Sequence, residues 1–281
     1  MIELGANRYG KAAIRLVRVA HGPDGDRLRD LTVAIALEGD FAAAHTDGDN
    51  SLVIATDTMK NTAYAFAKTQ LDGPLEDYGR ALAEHFLEAP QVDVATVNIK
   101  GHHWRPIDVS GTPAPDAFVR GGEGTRVATI TATRAATTVE AGVEDLVVMK
   151  TTRSAFSGFP RDEYTTLSET DDRLMATKLT AIWRYGSPGL DYDRVFDGVR
   201  TTLLESFADH DSPSVQTSIW IMARAILESH DEVEEVRMVL PNLHHWLVDL
   251  RPFGLENDRE IYTPTTEPHG LIEATVRRGD G

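Results

Sequence analysis

The chain of 281 residues contains no cysteine, which excludes disulfides, thiolate metal sites and a cysteine nucleophile. It also lacks any apolar run near the roughly 18 residues that a membrane-spanning helix needs, so we expect no membrane partner. The amino-terminal "MIELGANRYGKAAIRL" lacks the apolar core of a secretory signal, and the final "RRGDG" differs from the peroxisomal Ser-Lys-Leu signal. These absences together predict a cytoplasmic protein.

Positive charge is scarce, because 28 Lys and Arg residues stand against 44 Asp and Glu residues, for a net charge of −16. Such a chain repels phosphate backbones, so nucleic acid is not expected as a partner. The composition, 41% hydrophobic and 26% charged, is typical of a globular protein. This length suffices for one large domain or two of medium size.

A short motif occurs twice, as "GHHW" at 101–104 and "LHHW" at 243–246. Alignment of the two copies at an offset of 142 positions pairs several further residues. The aligned identities are Val94 with Val236, Val97 with Val239, His102 with His244 and Trp104 with Trp246. The repeat predicts two tandem units, residues 1–136 and 137–281.

Hydrophobic periodicity predicts the same order of elements in both units. The first is predicted to contain strands at 11–22 and 31–40, helices at 58–70 and 75–89, and strands at 91–108 and 117–134 joined by the loop "SGTPAP". The second is predicted to contain strands near 138–153 and 173–185, helices near 191–208 and 213–229, and strands near 232–250 and 259–277. The fold class is therefore α+β, with two ββααββ units whose antiparallel sheets carry helices on one face. Because the other face and the edges need cover, we expect several copies to close into a barrel.

The paired histidines do not indicate a metal site, because adjacent side chains on a strand point to opposite faces. Packing or hydrogen bonding is the more common use of such residues. In "LPNLHHW", however, Asn242 and His244 are two apart and therefore share a face, where they could hold a small polar molecule or a water. We assign no catalytic role to His103 or His245.

Two predicted helix starts could present polar groups. At the strand-to-helix turn in "ATDTMKN", Asp57 and Thr58 are expected to cap the helix, and Thr56 is free for another role. In "DSPSVQ", Ser212 is the expected N-cap and Pro213 the first helical residue, which puts Val215 and Gln216 in the first turn. Unpaired N–H groups there would favour an anionic or carbonyl-bearing ligand, although such a pattern taken alone is most often a plain helix start.

Two basic residues occupy notable positions. Arg173 follows the long connection "SAFSGFPRDEYTTLSETDD", and long ordered connections are often functional. A surface ion pair with the neighbouring acids is the alternative interpretation. Lys11, beside Gly10 at the start of the first strand, could equally be a solvated side chain.

Five segments in this order resemble the urate oxidase (uricase) family: "YGK" at 9–11, "ATDTMKNTAY" at 55–64, "FSGFPRDEYTTLSETDDR" at 156–173, "SVQ" at 214–216 and "LPNLHHW" at 240–246. The resemblance covers nearly the whole chain. It implies the tunnelling fold, in which each chain has two ββααββ units and four chains close into a tunnel. That expectation agrees with the repeat.

The resemblance also implies roles for individual residues. Lys11 and Thr56 would form a catalytic proton relay joined by His244, and Asp57 would contact the substrate through its backbone. The remaining implied substrate contacts are Phe156 stacking on the purine, Leu167 lining the pocket, Arg173 and Gln216 holding opposite ring edges, the backbone of Val215, and Asn242 facing dioxygen or water.

The implied reaction converts urate, dioxygen and water into 5-hydroxyisourate and hydrogen peroxide without a metal or other cofactor. The implied assembly is a homotetramer in which the Lys-Thr pair comes from one subunit and the other site residues from its neighbour. Two alternatives remain. A pterin or guanosine-triphosphate enzyme of the same superfamily would generally use zinc or a cysteine, and a purine-binding assembly without turnover would be expected to have lost Lys11 or Thr56.

Overall fold

A computed structural model describes residues 2–265 and 267–279, so the last two residues of the "RRGDG" tail lie outside the described part. The protein is α+β, as predicted. The chain divides into two compact units: unit 1 runs to Gly142 and includes Arg184–Phe196, and unit 2 comprises Val143–Trp183 and the chain from Asp197 onward. No helix within the described residues is long and apolar enough to cross a membrane. These units describe packing rather than sequence duplication, so the repeat boundary at 136/137 stays a prediction.

Unit 1 is built on an antiparallel sheet of order β1-β2-β3-β6. Its elements are β1 (Tyr9–Ala20), β2 (Arg27–Gly39), α1 (Ala42–Thr46), α2 (Thr56–Gln70), α3 (Leu75–Leu87), β3 (Val92–His102), β4 (Trp104–Val109), β5 (Thr112–Arg120) and β6 (Thr125–Thr133). Within this unit α2 and α3 lie against the sheet.

The core of unit 1 follows from strict alternation along its strands. In β2, Ile35 is buried and lies opposite Val97 of β3, which in turn lies opposite Ile130 of β6. Because paired residues point to the same face, such rows form one apolar surface under the helices. The hydroxyl of Tyr78 in α3 donates to the carbonyl oxygen of Ala63 in α2 at 2.8 Å and ties the two helices together. The expected helix-covered face is therefore present.

The predicted strand 91–108 and the loop "SGTPAP" need correction. The strand ends at His102, and a separate hairpin of β4 and β5 follows. Only Ser110 and Gly111 form its turn, with φ of 54° and 83°, as a two-residue hairpin turn with positive φ at both positions requires. The rest of the segment continues as β5. Its prolines had suggested a loop, but this two-stranded ribbon has edges that tolerate them.

The remainder of the chain forms β7 (Thr137–Lys150), β8 (Met175–Tyr185), α4 (Tyr192–Asp209), α5 (Val215–Ser229), β9 (Val233–Leu247), a short 3₁₀ helix (Arg251–Phe253), β10 (Tyr262–Thr265) and β11 (Leu271–Arg277). The strand order is β7-β8-β9, and both β10 and β11 pair antiparallel with β9. Helix α5 packs against β9 and β11.

Strand β9 changes its partner in the middle, which corrects the single strand predicted at 259–277. Up to Pro241 it pairs with β11, and from His244 to Leu247 it pairs with β10. The proline does not interrupt β9. At the changeover the backbone N–H of Asn242 donates to the carbonyl oxygen of Gly270 at 2.8 Å. The segment with Asn242 and His244 is thereby fixed at the point where the partner strand changes.

Candidate active site

A cavity of about 450 Å³ opens within unit 2. Seven of the ten residues singled out from the sequence line it: Phe156, Leu167, Arg173, Val215, Gln216, Asn242 and His244. They come from three places in the chain, namely the connection before β8, the start of α5 and the middle of β9. The volume is within the range of small-molecule sites.

The first turn of α5 borders the cavity, but its cap differs from the expected one. Helix α5 begins at Val215, and its N-cap is Ser214, whose side chain accepts a hydrogen bond from the Thr217 N–H at 3.1 Å. Ser212, the expected cap, instead forms a backbone bridge with Ser154 and is extended. Val215 and Gln216 occupy the first turn as predicted, and the positive end of the helix dipole lies beside the cavity.

The long connection before β8 is folded back on itself. Phe156 and Thr170 pair through two backbone hydrogen bonds of 2.7 and 3.0 Å, and the ring of Phe156 stacks on Phe159 at 5.0 Å. The guanidinium of Arg161 donates to the carbonyl oxygen of Leu167 at 3.0 Å. These contacts order the loop, and Phe156 and Leu167 within it line the cavity.

Arg173 lies beside Phe156, with its guanidinium carbon 5.4 Å from the ring centroid. Burial lowers the pKa of Arg173, although an arginine remains charged at neutral pH. Its Nε is buried without a hydrogen-bond partner, and no carboxylate among the described residues forms an ion pair with it. The alternative interpretation of Arg173, a surface ion pair with the neighbouring acids, is therefore wrong for the described part of the chain. An uncompensated, half-buried cation of this kind attracts an anion.

Asp172 does not neutralise Arg173 because its carboxylate is turned elsewhere. It accepts from the Thr152 hydroxyl at 3.0 Å and the Arg153 backbone N–H at 2.8 Å, and it pairs with Arg259 at 3.3 Å. Asp172, Arg259, Tyr262 and His245 also line the cavity and were not assigned from the sequence. Arg259 is 87 positions from Asp172, and no local pattern connects them.

The two copies of the His-His-Trp motif have different surroundings. In the second copy, the Asn242 Nδ2 lies 3.4 Å from the His244 Nδ1, and His244 stacks on Trp246 at 5.4 Å. The predicted shared face is confirmed. Burial, with a smaller effect of the nearby Arg173 charge, lowers the pKa of His244.

In the first copy, the polar atoms of His102 and Trp104 form hydrogen bonds with other residues of unit 1. The ring nitrogens of His102 lie 2.8 Å from the Thr32 hydroxyl and 2.9 Å from an Arg120 nitrogen. The indole N–H of Trp104 donates to Asp30 at 3.0 Å. The His and Trp side chains of this copy therefore form hydrogen bonds within the fold, which is the common use expected from the sequence for such residues. No group of three or more His, Asp or Glu side chains suited to a metal ion occurs in the described part of the chain.

The other three predicted residues, Lys11, Thr56 and Asp57, lie in unit 1. Lys11 pairs with Ile35 and Ile14 with Val33, so β1 has one extra residue between them. This β-bulge, with Ala13 at a φ of 54°, turns Lys11 to the helix-covered face that also holds Ile14. Without it the period of two would direct Lys11 to the opposite face.

Gly10 allows β1 and β2 to approach closely just before the bulge. A Cβ at that position would collide with the carbonyl oxygen of Ile35. The Tyr9 hydroxyl then joins this end of β1 to the start of α2, because it accepts from the Ile54 N–H at 2.8 Å and lies 3.2 Å from the Ile54 carbonyl oxygen.

Thr56 is the first residue of α2, and the expected capping by Asp57 and Thr58 is wrong. The N-cap is Ala55, which provides no side-chain cap. The carboxylate of Asp57 turns along the helix to Lys60 and Asn61, and its pKa is lowered mainly by Lys60, with a smaller contribution from the charge of Lys11. The first turn of α2 therefore keeps its N–H groups free of a side-chain cap.

Known proteins share this fold and sequence. A family model described as "Uricase" matches residues 7–131 and 139–273. A uricase of Arthrobacter globiformis is 44% identical over 99% of this chain and 90% of its own length, and one of Dictyostelium discoideum is 38% identical over 99% and 98%. A crystal structure of the Arthrobacter globiformis uricase superposes with a TM-score of 0.94 at 42% identity, covering 100% of this chain and 96% of that one. The α+β fold class expected from the resemblance is confirmed, and the chain belongs to the uricase family.

Proposed function

We propose that this protein oxidises urate with dioxygen and water to 5-hydroxyisourate and hydrogen peroxide, without a metal or organic cofactor. The observation that carries the proposal is the guanidinium of Arg173, which has no carboxylate partner among the described residues and lies beside the Phe156 ring in a concave cavity. Family membership supports the reaction class.

Urate suits this cavity because it is a flat anion with carbonyl and N–H groups around its edge. The Phe156 ring offers a stacking surface, and Arg173 offers parallel N–H donors to one edge of the purine. On the opposite edge, Gln216 has a donor and an acceptor, and the N–H groups at the start of α5 favour negative charge. Leu167 adds an apolar wall, and Asn242 is assigned to dioxygen or water above the ring.

The chemistry requires no electron carrier in the protein. Urate loses two electrons, dioxygen gains two electrons and two protons to become hydrogen peroxide, and water adds a hydroxyl group to the purine. The protein's task is to hold the reactants together and to move protons. We assign this relay to Lys11, Thr56 and His244, and we assign to Asp57 a backbone contact with the substrate.

The relay residues and the cavity are assigned to different subunits of a homotetramer. In this arrangement, Lys11, Thr56 and Asp57 of one chain complete the cavity of a neighbour, and the sheets of four chains close into a barrel. The bulge that turns Lys11 to the helix-covered face and the uncapped start of α2 support a role for this corner beyond packing. Two ββααββ repeats, 1–136 and 137–281, are the proposed evolutionary units.

The first test is turnover by the purified protein. We expect urate and oxygen to be consumed with release of peroxide, at the same rate before and after treatment with a chelator. The measurements are the ultraviolet band of urate, an oxygen electrode and a peroxide assay. Urate binding without oxygen consumption would contradict the proposal and favour a binding protein without turnover.

The second test separates the relay from binding. Lys11→Ala is expected to slow oxidation by at least about 100-fold, in the range of general acid-base contributions, and to leave the oligomer intact. Lys68→Ala, in the last turn of α2, is the matched control and should turn over urate like the wild type. Wild-type turnover by Lys11→Ala would exclude Lys11 from the relay.

A further inference from the structure

A network of polar side chains in unit 2 lies at the start of α5, next to Val215 and Gln216, which line the cavity. Its members are Ser212 and Ser218, which are buried, and His210, which is partly buried. The Ser218 hydroxyl lies 2.8 Å from both the Ser212 hydroxyl and the His210 Nε2. None of these side chains was singled out as a ligand contact.

Ser212 connects the two sides of the cavity through its backbone. Its N–H donates to the Arg153 carbonyl oxygen at 2.9 Å, and its carbonyl oxygen accepts from the Ala155 N–H at 2.7 Å. The neighbouring Ser154 accepts from the Arg173 N–H at 2.7 Å. Two residues after Ser212, the cap Ser214 begins α5. The segments that carry Phe156, Arg173 and Gln216 thus meet at Ser212.

The protonation state of His210 follows from its hydrogen bonds. Its Nδ1 lies 2.6 Å from the carbonyl oxygen of Ser206, which can only accept, so Nδ1 must carry a hydrogen. Burial is the main cause that lowers the pKa of His210, which keeps the ring neutral at neutral pH. In that form Nε2 is an acceptor, and the Ser218 hydroxyl donates to it. The Ser212 hydroxyl then donates to Ser218 or to the Ser214 carbonyl oxygen at 3.1 Å.

Two cations hold the other end of this network. The ammonium of Lys150, which is only 6% exposed, donates to the carbonyl oxygens of Ala208 and His210 at 3.2 and 2.8 Å. Arg153 also donates to the Ala208 carbonyl oxygen. Both occupy the carboxyl end of α4, where a positive charge is favourable. Lys150 and Arg153 therefore hold the α4 end of the link between α4 and α5. At the other end, the hydrogen bond between His210 and Ser218 joins this link to α5.

We propose that His210, acting through Ser218 and Ser212, is a positioning residue that sets the first turn of α5, and with it Val215 and Gln216, against Phe156 and Arg173. The proposal rests on the proposed function, because it assigns to this network the fit of the cavity to urate. It acts on binding before any chemistry, so the affinity for urate without oxygen is the quantity that it predicts. Small displacements of groups that hold a ligand weaken binding strongly when those groups are otherwise rigid.

Two conservative substitutions separate this role from a purely structural one. In His210→Asn, the side-chain amide can replace Nδ1 and keep the bond to Ser206, but it cannot reach Ser218. In His210→Gln, the amide oxygen can replace Nε2 and keep the bond to Ser218. We expect His210→Gln to bind urate within about threefold of the wild type and His210→Asn to bind about tenfold more weakly, equivalent to one hydrogen bond of about 1.4 kcal/mol.

The experiment is anaerobic titration of both variants with urate by calorimetry, beside their thermal unfolding midpoints. Ser218→Ala should also weaken urate binding about tenfold, whereas Ser229→Ala, at the end of the same helix, is the matched control and should not. The inference would be overturned if His210→Asn, His210→Gln and Ser218→Ala all bound urate as tightly as the wild type. It would also be overturned if His210→Asn kept the wild-type affinity for urate and His210→Gln lost it. If the wild-type protein itself did not bind urate, the proposed function would fail instead, so the two failures are distinguishable.

Discussion

The hydrogen-bond partners of a histidine, rather than its identity or its burial, distinguish the two copies of the His-His-Trp motif. His102 and His244 occupy equivalent positions in the two motif copies, and desolvation lowers the pKa of both. The nitrogens of His102 lie against Thr32 and Arg120, whereas the Nδ1 of His244 has a 3.4 Å contact with Asn242 and its ring stacks on Trp246. The two copies therefore differ in their hydrogen-bond partners, and for this reason we assign proton transfer to His244 and not to His102.

The lowered pKa of His244 predicts the pH dependence of turnover. A histidine whose folded pKa lies below its usual 6.5 stays neutral at neutral pH and gains a proton only at lower pH. If neutral His244 serves the relay, activity should fall on acidification, with the midpoint of the fall below pH 6.5. The measurement is kcat/KM against pH for the wild type and for His244→Gln. The variant should be slower and lack this acidic limb, and an unchanged limb would assign it to another group.

Removal of the Arg173 guanidinium should weaken the binding of urate. Arg173→Ala should raise the Michaelis constant for urate about 10- to 100-fold, because a charge-assisted hydrogen bond to the anion contributes about 1.5–3 kcal/mol. The turnover number should change less, since the contact is present before and during the reaction. Arg251→Ala, an exposed arginine paired with Asp249, is the control. An unchanged Michaelis constant in Arg173→Ala would refute the edge-binding role.

Among the secondary-structure elements, the irregular ones position the candidate catalytic groups. A regular β1 would direct Lys11 away from the helices, and a β9 with one partner throughout would lack the changeover that fixes Asn242. Helix α5 begins at Val215 rather than earlier because Ser212 is held in a backbone bridge. Periodicity identified these elements but not their irregularities, since a bulge or a change of partner depends on the neighbouring strand.

The bulge at Ala13 is testable through its backbone conformation. Ala13 has a φ of 54°, which glycine adopts easily and β-branched residues avoid. Ala13→Gly should retain the turnover of the wild type and change the free energy of unfolding by no more than about 1 kcal/mol. Ala13→Val should destabilise by about 1–2 kcal/mol and reduce turnover further than stability alone explains, because it misplaces Lys11. Denaturant unfolding and steady-state rates measure the two effects, and equal activity of both variants would show that the bulge does not serve Lys11.

For the whole molecule, the proposed site is complete only if neighbouring copies of the chain assemble. Unit 2 contains the cavity and seven candidate residues, whereas unit 1 contains the other three candidates, Lys11, Thr56 and Asp57. We propose that the unit 1 residues of one chain complete the unit 2 cavity of a neighbouring copy. A monomer in solution, measured by light scattering, would contradict this assignment.

Subunit mixing tests the shared site directly. Lys11→Ala and Arg173→Ala should each be nearly inactive at low urate concentration. Co-expression in equal amounts should restore about one quarter of the wild-type activity. If Lys11 and Arg173 of one site come from different chains, random assembly supplies each wild-type residue about half of the time, so about a quarter of the sites contain both. Mixing the separately assembled tetramers without exchange is the control. No recovery in co-assembled tetramers would place both groups in the same chain.

The sequence alone was enough to predict the fold class, because strand alternation and helical periodicity are local properties of the chain. It also predicts a two-unit repeat and, through the family resemblance, the candidate site residues, and these stay predictions. It also predicted that Asn242 and His244 share a face, since two steps along a strand suffice for that. The three-dimensional structure was needed to establish that Arg173 has no carboxylate partner in the described part of the chain, that Asp172 pairs with Arg259, and that the caps are Ala55 and Ser214. These outcomes depend on contacts between residues distant in sequence, where burial and competition among hydrogen-bond partners decide which of several locally acceptable pairings forms.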